Sequence, residues 1–139
     1  MTFVLVHGMS HGAWAWELVR ARLARAGHQV LAVDLPGHGR RAHERSRASI
    51  TSYARAVADA MTLAGAHDTV IVGHSMAGAV IPKVAAPRTY IRCLRDMAVP
   101  AARAAQYAAR LGVTPVDMDC AHNPMLSQPD ALAATLEKL

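Results

Sequence analysis

Short apolar runs rich in β-branched residues recur near 2–7, 29–34, 69–74, 88–94 and 114–119, and between them apolar residues return at helical spacing. The runs predict strands, and the intervals predict helices near 14–26, 50–65, 76–86, 99–111 and 128–138. In the first helix Leu18, Leu23 and Ala26 repeat at roughly helical spacing, and Gly27 supplies the stop. Alternation of strand and helix argues for a parallel sheet with helices on both faces, an α/β three-layer sandwich. Alanine is abundant throughout, but no internal repeat or low-complexity linker interrupts the pattern.

At 139 residues and 53% hydrophobic composition, the chain suits one domain, 1–139, with a real core. No apolar run approaches the roughly 20 residues of a membrane span, and the N-terminus lacks a charged region followed by an apolar stretch and cleavage site. The expectation is a cytoplasmic protein with no membrane partner. Cys93 and Cys120, at the ends of predicted strands, lack metal-ligand spacing and read as buried reduced thiols. The net charge of +5 is spread through helices and loops without an aromatic-interleaved basic patch, which argues for solvated faces and against a nucleic-acid partner. Its densest cluster, residues 40–47, reads as a mobile surface loop.

Residues 68–78, Asp-Thr-Val-Ile-Val-Gly-His-Ser-Met-Ala-Gly, carry candidate chemistry. Small residues at Gly73, Ala77 and Gly78 let a strand fold sharply back into a helix, with Ser75 at the apex in a strained conformation, a nucleophile elbow. The plainer alternative is that Gly and Ser punctuate a strand–helix junction. Two further features favour the elbow. The first apolar run ends in His7-Gly8-Met9-Ser10-His11-Gly12, a Gly-rich loop able to present backbone N–H groups, and Asp96 and His122 follow Ser75 in the order Ser, acid, His.

With these residues the chain resembles an α/β-hydrolase of the branch that holds salicylate-type methyl esterases and hydroxynitrile lyases. The resemblance is carried by Phe3-Val4-Leu5-Val6-His7-Gly8 with Gly12-Ala13-Trp14, by Val33-Asp34-Leu35-Pro36-Gly37-His38-Gly39, by Gly73-His74-Ser75-Met76-Ala77-Gly78, by Tyr90-Ile91-Arg92-Cys93 leading to Asp96, and by His122-Asn123-Pro124-Met125-Leu126. Full-length relatives carry a further strand and a helical cap between the elbow helix and the strand bearing the acid. Here 21 positions separate Ser75 from Asp96, room for one helix and one strand. Closing that gap implies a minimal capless hydrolase with five parallel strands in order 2-1-3-4-5, its ligand site beyond the carboxyl ends of strands 1 and 3.

The resemblance implies a serine hydrolase of small carboxylic esters that needs no cofactor. Ser75 is the expected nucleophile, His122 the base and Asp96 the acid that fixes the imidazole tautomer. The N–H groups of Met9 and Met76 are the expected oxyanion hole, with the dipole of a helix beginning at Met76 adding positive potential. Gly8, His74 and Met125 are expected to contact substrate, His74 by packing beside the nucleophile. Asp34, Asp117 and Asp119 are rival acids, and Asp96 also reads as a turn former or N-cap before the 99–111 helix. His7 and His11 sit four apart, but glycines make that segment a loop and no carboxylate falls at useful spacing, which argues against a metal site. Trp14 and Trp16 are expected in the core.

Two alternatives stand beside the esterase. A hydroxynitrile lyase would carry Thr and Lys where this chain has Gly8 and Asn123, so departing cyanide would lack a cation. A weak or inactive minimal scaffold or binding module is the other, because a cap normally supplies the apolar pocket and excludes water. The expected cleft is therefore open and shallow, favouring short acyl chains with a high KM. A homodimer in which a partner's surface covers the cleft is the assembly such exposure would favour.

Overall fold

The computed structural model describes residues 1–84 and 89–139, which fall into two compact units on either side of residues 85–88. The start of the fourth predicted strand, at 88, and the end of the 76–86 helix lie outside the described residues.

In the first unit, β1 (Thr2–Val6), β2 (Gln29–Val33) and β3 (Thr69–Gly73) form a parallel sheet in order β2-β1-β3. β1 is central, and Phe3, Val4, Leu5 and Val6 are wholly buried, as a strand covered on both faces requires. Val4 and Val6 cluster with Val33, Leu35 and with Tyr53 and Val57 of α2 (Ile50–Leu63). By the two-residue alternation of a strand, Phe3 and Leu5 turn to the opposite side. α1 (Glu17–Arg25) packs on β2 and buries Val19 and Leu23 outside that cluster.

Helix ends follow local chemistry. Gly27, with φ +89°, closes α1 through a bond from His28 N–H to the Leu23 carbonyl, the stop expected of it. Ser49 and Ser52 start α2 with a reciprocal capping box.

The second unit holds a parallel pair, β4 (Ile91–Cys93) and β5 (Val116–Met118), with α3 (Ala101–Leu111), α4 (Pro124–Ser127) and α5 (Pro129–Leu136). The strand orders 2-1-3 and 4-5 match those expected, but no β3–β4 ladder joins them into one five-stranded sheet among the described residues.

Several helices differ from expectation for identifiable reasons. The first opens as a 3₁₀ turn, Ala13–Trp16, before α1. The segment after the elbow is not an α-helix: Ser75–Ala79 and Ile81–Lys83 are 3₁₀ turns, because Pro82 lacks an N–H and its ring would clash with the carbonyl four residues back. Pro129 likewise separates α4 from α5. Residues 40–47, expected as a mobile loop, fall within irregular 3₁₀ turns, Gly39–Arg47, that contain a two-pronged Arg41–Glu44 ion pair at 2.7 and 2.8 Å.

Candidate active site

β1 and β3 run side by side with Val6 opposite Gly73, so the segments leaving their carboxyl ends emerge together. His74 N–H donates to the Val6 carbonyl at 3.0 Å, which continues the ladder one residue past β3. Ser75 then adopts φ +52°, a left-handed conformation that costs a non-glycine residue roughly 1–3 kcal/mol and persists where the surroundings enforce it. Ala77 N–H closes the turn on the His74 carbonyl. The turn is tight: a Cβ on Gly73 would overlap Ile81 and press on Ala77. Ser75 itself is exposed.

Gly8 meets this elbow from β1. A Cβ there would stand 2.7 Å from His74 Nδ1 and 3.1 Å from the Ser75 Cβ, so only glycine permits the approach. Met9 and Met76 each follow one of the touching residues, and among the described residues no backbone carbonyl takes the N–H of either. Met76 is the second residue of only a five-residue 3₁₀ turn, Ser75–Ala79, so the helix-dipole contribution expected there is much reduced. His74 is buried and lies edge-on to His11. Trp16 is buried as expected, whereas Trp14 is 58% exposed and stacks on His11, whose ring satisfies one of its faces at the surface.

Two polar clamps hold the loop after β1 against the loop after β2. Buried His7 donates from Nδ1 to the Gly8 carbonyl at 2.8 Å and accepts at Nε2 from Leu35 N–H at 3.2 Å. Both ring nitrogens are used by the neutral form, and burial lowers its pKa below the ordinary histidine value despite the Gly8 bond. Asp34 accepts from Ala13 N–H at 2.7 Å and from the Arg40 main chain and guanidinium, both at 3.3 Å. Burial pushes this carboxyl up, but those donors together outweigh it and hold the pKa below the usual aspartate range. The clamp requires glycine on both sides. A Cβ on Gly12 would stand 2.9 Å from Asp34 Oδ1, and one on Gly39, whose φ is +51°, would collide with the carboxylate. The clamps were not assigned from sequence; Asp34 between glycines at 12 and 39 was their signal.

In the second unit, β4 and β5 deliver an acid and a base. Asp96 Oδ2 and His122 Nδ1 are 2.7 Å apart, and Asp96 Oδ1 accepts from Ala98 N–H at 2.8 Å and Val99 N–H at 2.9 Å. Asp96 therefore forms a turn through one oxygen and meets the His122 ring through the other. Burial raises its pKa, and the His122 bond with the two main-chain donors more than reverses that, leaving it below the usual value. Asp96 bonded to Nδ1 fixes the neutral imidazole with its lone pair on Nε2. The rival acids are engaged elsewhere: Asp117 pairs with Arg92 through two bonds of 2.7 Å, Asp119 with Arg95 at 2.7 Å, and Asp34 with Arg40.

Cys93 and Cys120 are free thiols that meet beside this pair; burial first, then the Cys120 contact, pushes Cys93 up to about 12, the mark of an unreactive thiol. Met125 is completely buried, which leaves it no surface for the substrate contact expected of it. Among the described residues no three His, Cys, Asp or Glu side chains converge as metal ligands, and no helix is long and apolar enough to cross a membrane.

Residues 3–89 match the alpha/beta hydrolase family. The chain belongs to that family. It is 39% identical over 79 residues to Methylesterase 7 of Arabidopsis thaliana, covering 55% of this chain and 30% of that protein. It is 37% identical over 102 residues to a carbendazim hydrolyzing esterase of Nocardioides sp. (strain SG-4G), covering 70% of this chain and 42% of that protein. The chain thus spans well under half the length of these curated relatives. An extracellular alpha/beta-hydrolase from a Paenibacillus species, 16% identical, superposes with a TM-score of 0.87 over 99% of this chain and 98% of that one, a likeness of fold.

Proposed function

We propose that this chain is the catalytic core of a serine hydrolase acting on small carboxylic esters. Ser75 Oγ attacks the ester carbonyl, His122 takes its proton at Nε2 and returns it to the leaving alcohol, and water then releases the acid from the acyl-enzyme. Asp96 holds the imidazole and stabilises its cation. The N–H groups of Met9 and Met76 receive the oxyanion, a contribution whose loss typically costs about 10²–10³ in rate. His7 and Asp34 act by holding the Met9 loop in place.

The observation that carries this reading is the Asp96–His122 bond, an acid already anchored by two main-chain donors and aimed at an imidazole nitrogen. The strained, exposed Ser75 and the esterase relatives support it. The test is hydrolysis of 4-nitrophenyl acetate and butyrate by the protein and by Ser75→Ala, following the burst and the steady rate. Saturable turnover abolished by the substitution is expected. A rate unchanged by Ser75→Ala would overturn the proposal and assign the background to other nucleophiles.

A further inference from the structure

A cleft of about 350 Å³ opens beside the Met9 loop, between Ser10 and His11 on one side and His38, Gly39 and Arg45 on the other. Its volume is at the small end of the roughly 300–1,000 Å³ range of small-molecule sites. None of the residues lining it is acidic. Asp34, beneath Gly39, has its oxygens engaged by Ala13 and Arg40, and Glu44, beside Arg45 in the chain, is engaged by Arg41.

The lining instead offers a guanidinium and a hydroxyl, at Arg45 and Ser10. Within residues 39–47, Arg40 is held by Asp34 and Arg41 by Glu44, whereas Arg45 has no carboxylate at ion-pair distance among the described residues. His11 and His38 each give the Nδ1 hydrogen to a main-chain carbonyl, Met9 at 2.9 Å and Pro36 at 3.2 Å. The ring atom left for a ligand is Nε2, an acceptor in the neutral ring that donates to an anion only when the ring carries a second proton. Ser10, held at φ +63°, adds a hydroxyl. Met9 forms the rim, so this cleft continues directly from the proposed oxyanion site.

We infer that the cleft is an anion subsite, and that the preferred ester carries an ionised carboxylate or phosphate a few bonds from its scissile carbonyl. The substrate class rests on the esterase reading above; the anion site does not. Arg45 supplies the charge, with Ser10, His11 and His38 as flanking partners. An exposed cation contributes modestly, so the expected preference is about threefold in kcat/KM.

The test has two arms. In the first, kcat/KM is measured for 4-nitrophenyl butyrate and for the mono-4-nitrophenyl ester of glutaric acid, which adds a terminal carboxylate. The glutarate ester should be preferred, the ratio should fall to about one in Arg45→Ala, and Arg45→Lys should retain it. In the second arm, isotope-labelled protein is titrated with glutarate and separately with inorganic phosphate. Saturable amide shifts at Ser10, His11 and Gly39, lost in Arg45→Glu, are expected; phosphate alone producing them assigns a phosphate-bearing substrate, glutarate alone a dicarboxylic half-ester. Shifts without turnover would keep the subsite and remove the esterase reading. Turnover without preference, and no shifts at tens of millimolar of either anion, would remove the subsite and keep the esterase.

Discussion

Asp34 follows β2 and Asp96 follows β4, and in each Oδ1 accepts main-chain N–H, from Ala13 or from Ala98 and Val99, while Oδ2 meets a basic side chain, joined at Asp34 by the Arg40 main-chain N–H. Both are kept ionised by donors that outweigh burial. They differ in the partner. Arg40 is permanently charged and 91% exposed, so Asp34 ends in a surface ion pair within its own loop, while its bond from Ala13 N–H pins that loop to the one after β1. His122 exchanges a proton, so Asp96 ends in a group able to do chemistry. A carboxylate after a strand becomes an acid of the catalytic kind only through the residue it orients.

The largest effect should come from replacing each carboxylate by its amide. Asp96→Asn can present an NH₂ to His122 and favour the wrong tautomer, and kcat for 4-nitrophenyl acetate should fall about 10³–10⁴-fold. Asp34→Asn retains an oxygen for Ala13 N–H and should cost well under the roughly 10²-fold that follows loss of an oxyanion donor. Equal losses would break the comparison and make Asp34 a rival acid after all.

Stability should rank the two the other way. Asp34→Ala strands the N–H of buried Ala13, a loss of about 1–3 kcal/mol, whereas Asp96→Ala releases N–H groups of exposed Ala98 and half-buried Val99 that water can serve, about 0.5–1.5 kcal/mol. Gly39→Ala should mimic Asp34→Ala, since its Cβ would occupy the carboxylate's place. Urea midpoints of the three variants decide the order, and a larger loss at Asp96 would contradict it.

How much of this was legible beforehand follows the range of the interactions. Strands and α2 announce themselves through local apolar pattern and capping residues, and the elbow through small residues packed within a few positions. The Asp96–His122 pairing was legible through its motifs and chain order, although four aspartates competed and 26 positions separate the partners. What stayed hidden was set by contacts with no local signature: the clamps that His7 and Asp34 form across 28 and 21 positions, and the exposure of Trp14 on His11. The missed 3₁₀ turns after Ser75 were legible in Pro82, which outweighs the helix propensity of its alanine neighbours.

Acid should separate the clamps in pH. Unfolded histidine takes a proton near 6.5, but buried His7 resists it, so stability should fall as pH drops below that value until the folded ring also protonates. The depressed carboxylates act lower: what they contribute is present above the unfolded aspartate value near 3.9 and lost as pH falls through their folded values. Urea midpoints at pH 7 and pH 5 should show a decline that His7→Gln reduces. An unchanged decline would assign it to other histidines.

The smallest effect should come from Arg40→Ala. Its guanidinium reaches Asp34 at 3.3 Å from a position 91% exposed, where water and salt screen the pair, and such pairs typically contribute about 0.2–1 kcal/mol. The substitution also leaves the Arg40 main-chain N–H and the Ala13 N–H on Asp34. Stability and kcat should therefore change little, and any loss in the urea midpoint should fade at high salt. Because Ala13 N–H is the shortest of the three contacts, the carboxylate stays ionised and in place without its charged partner. If Arg40→Ala instead matched Asp34→Ala, the ion pair and not the main-chain bond would hold the Met9 loop, and the distinction between the two aspartates would rest on His122 alone.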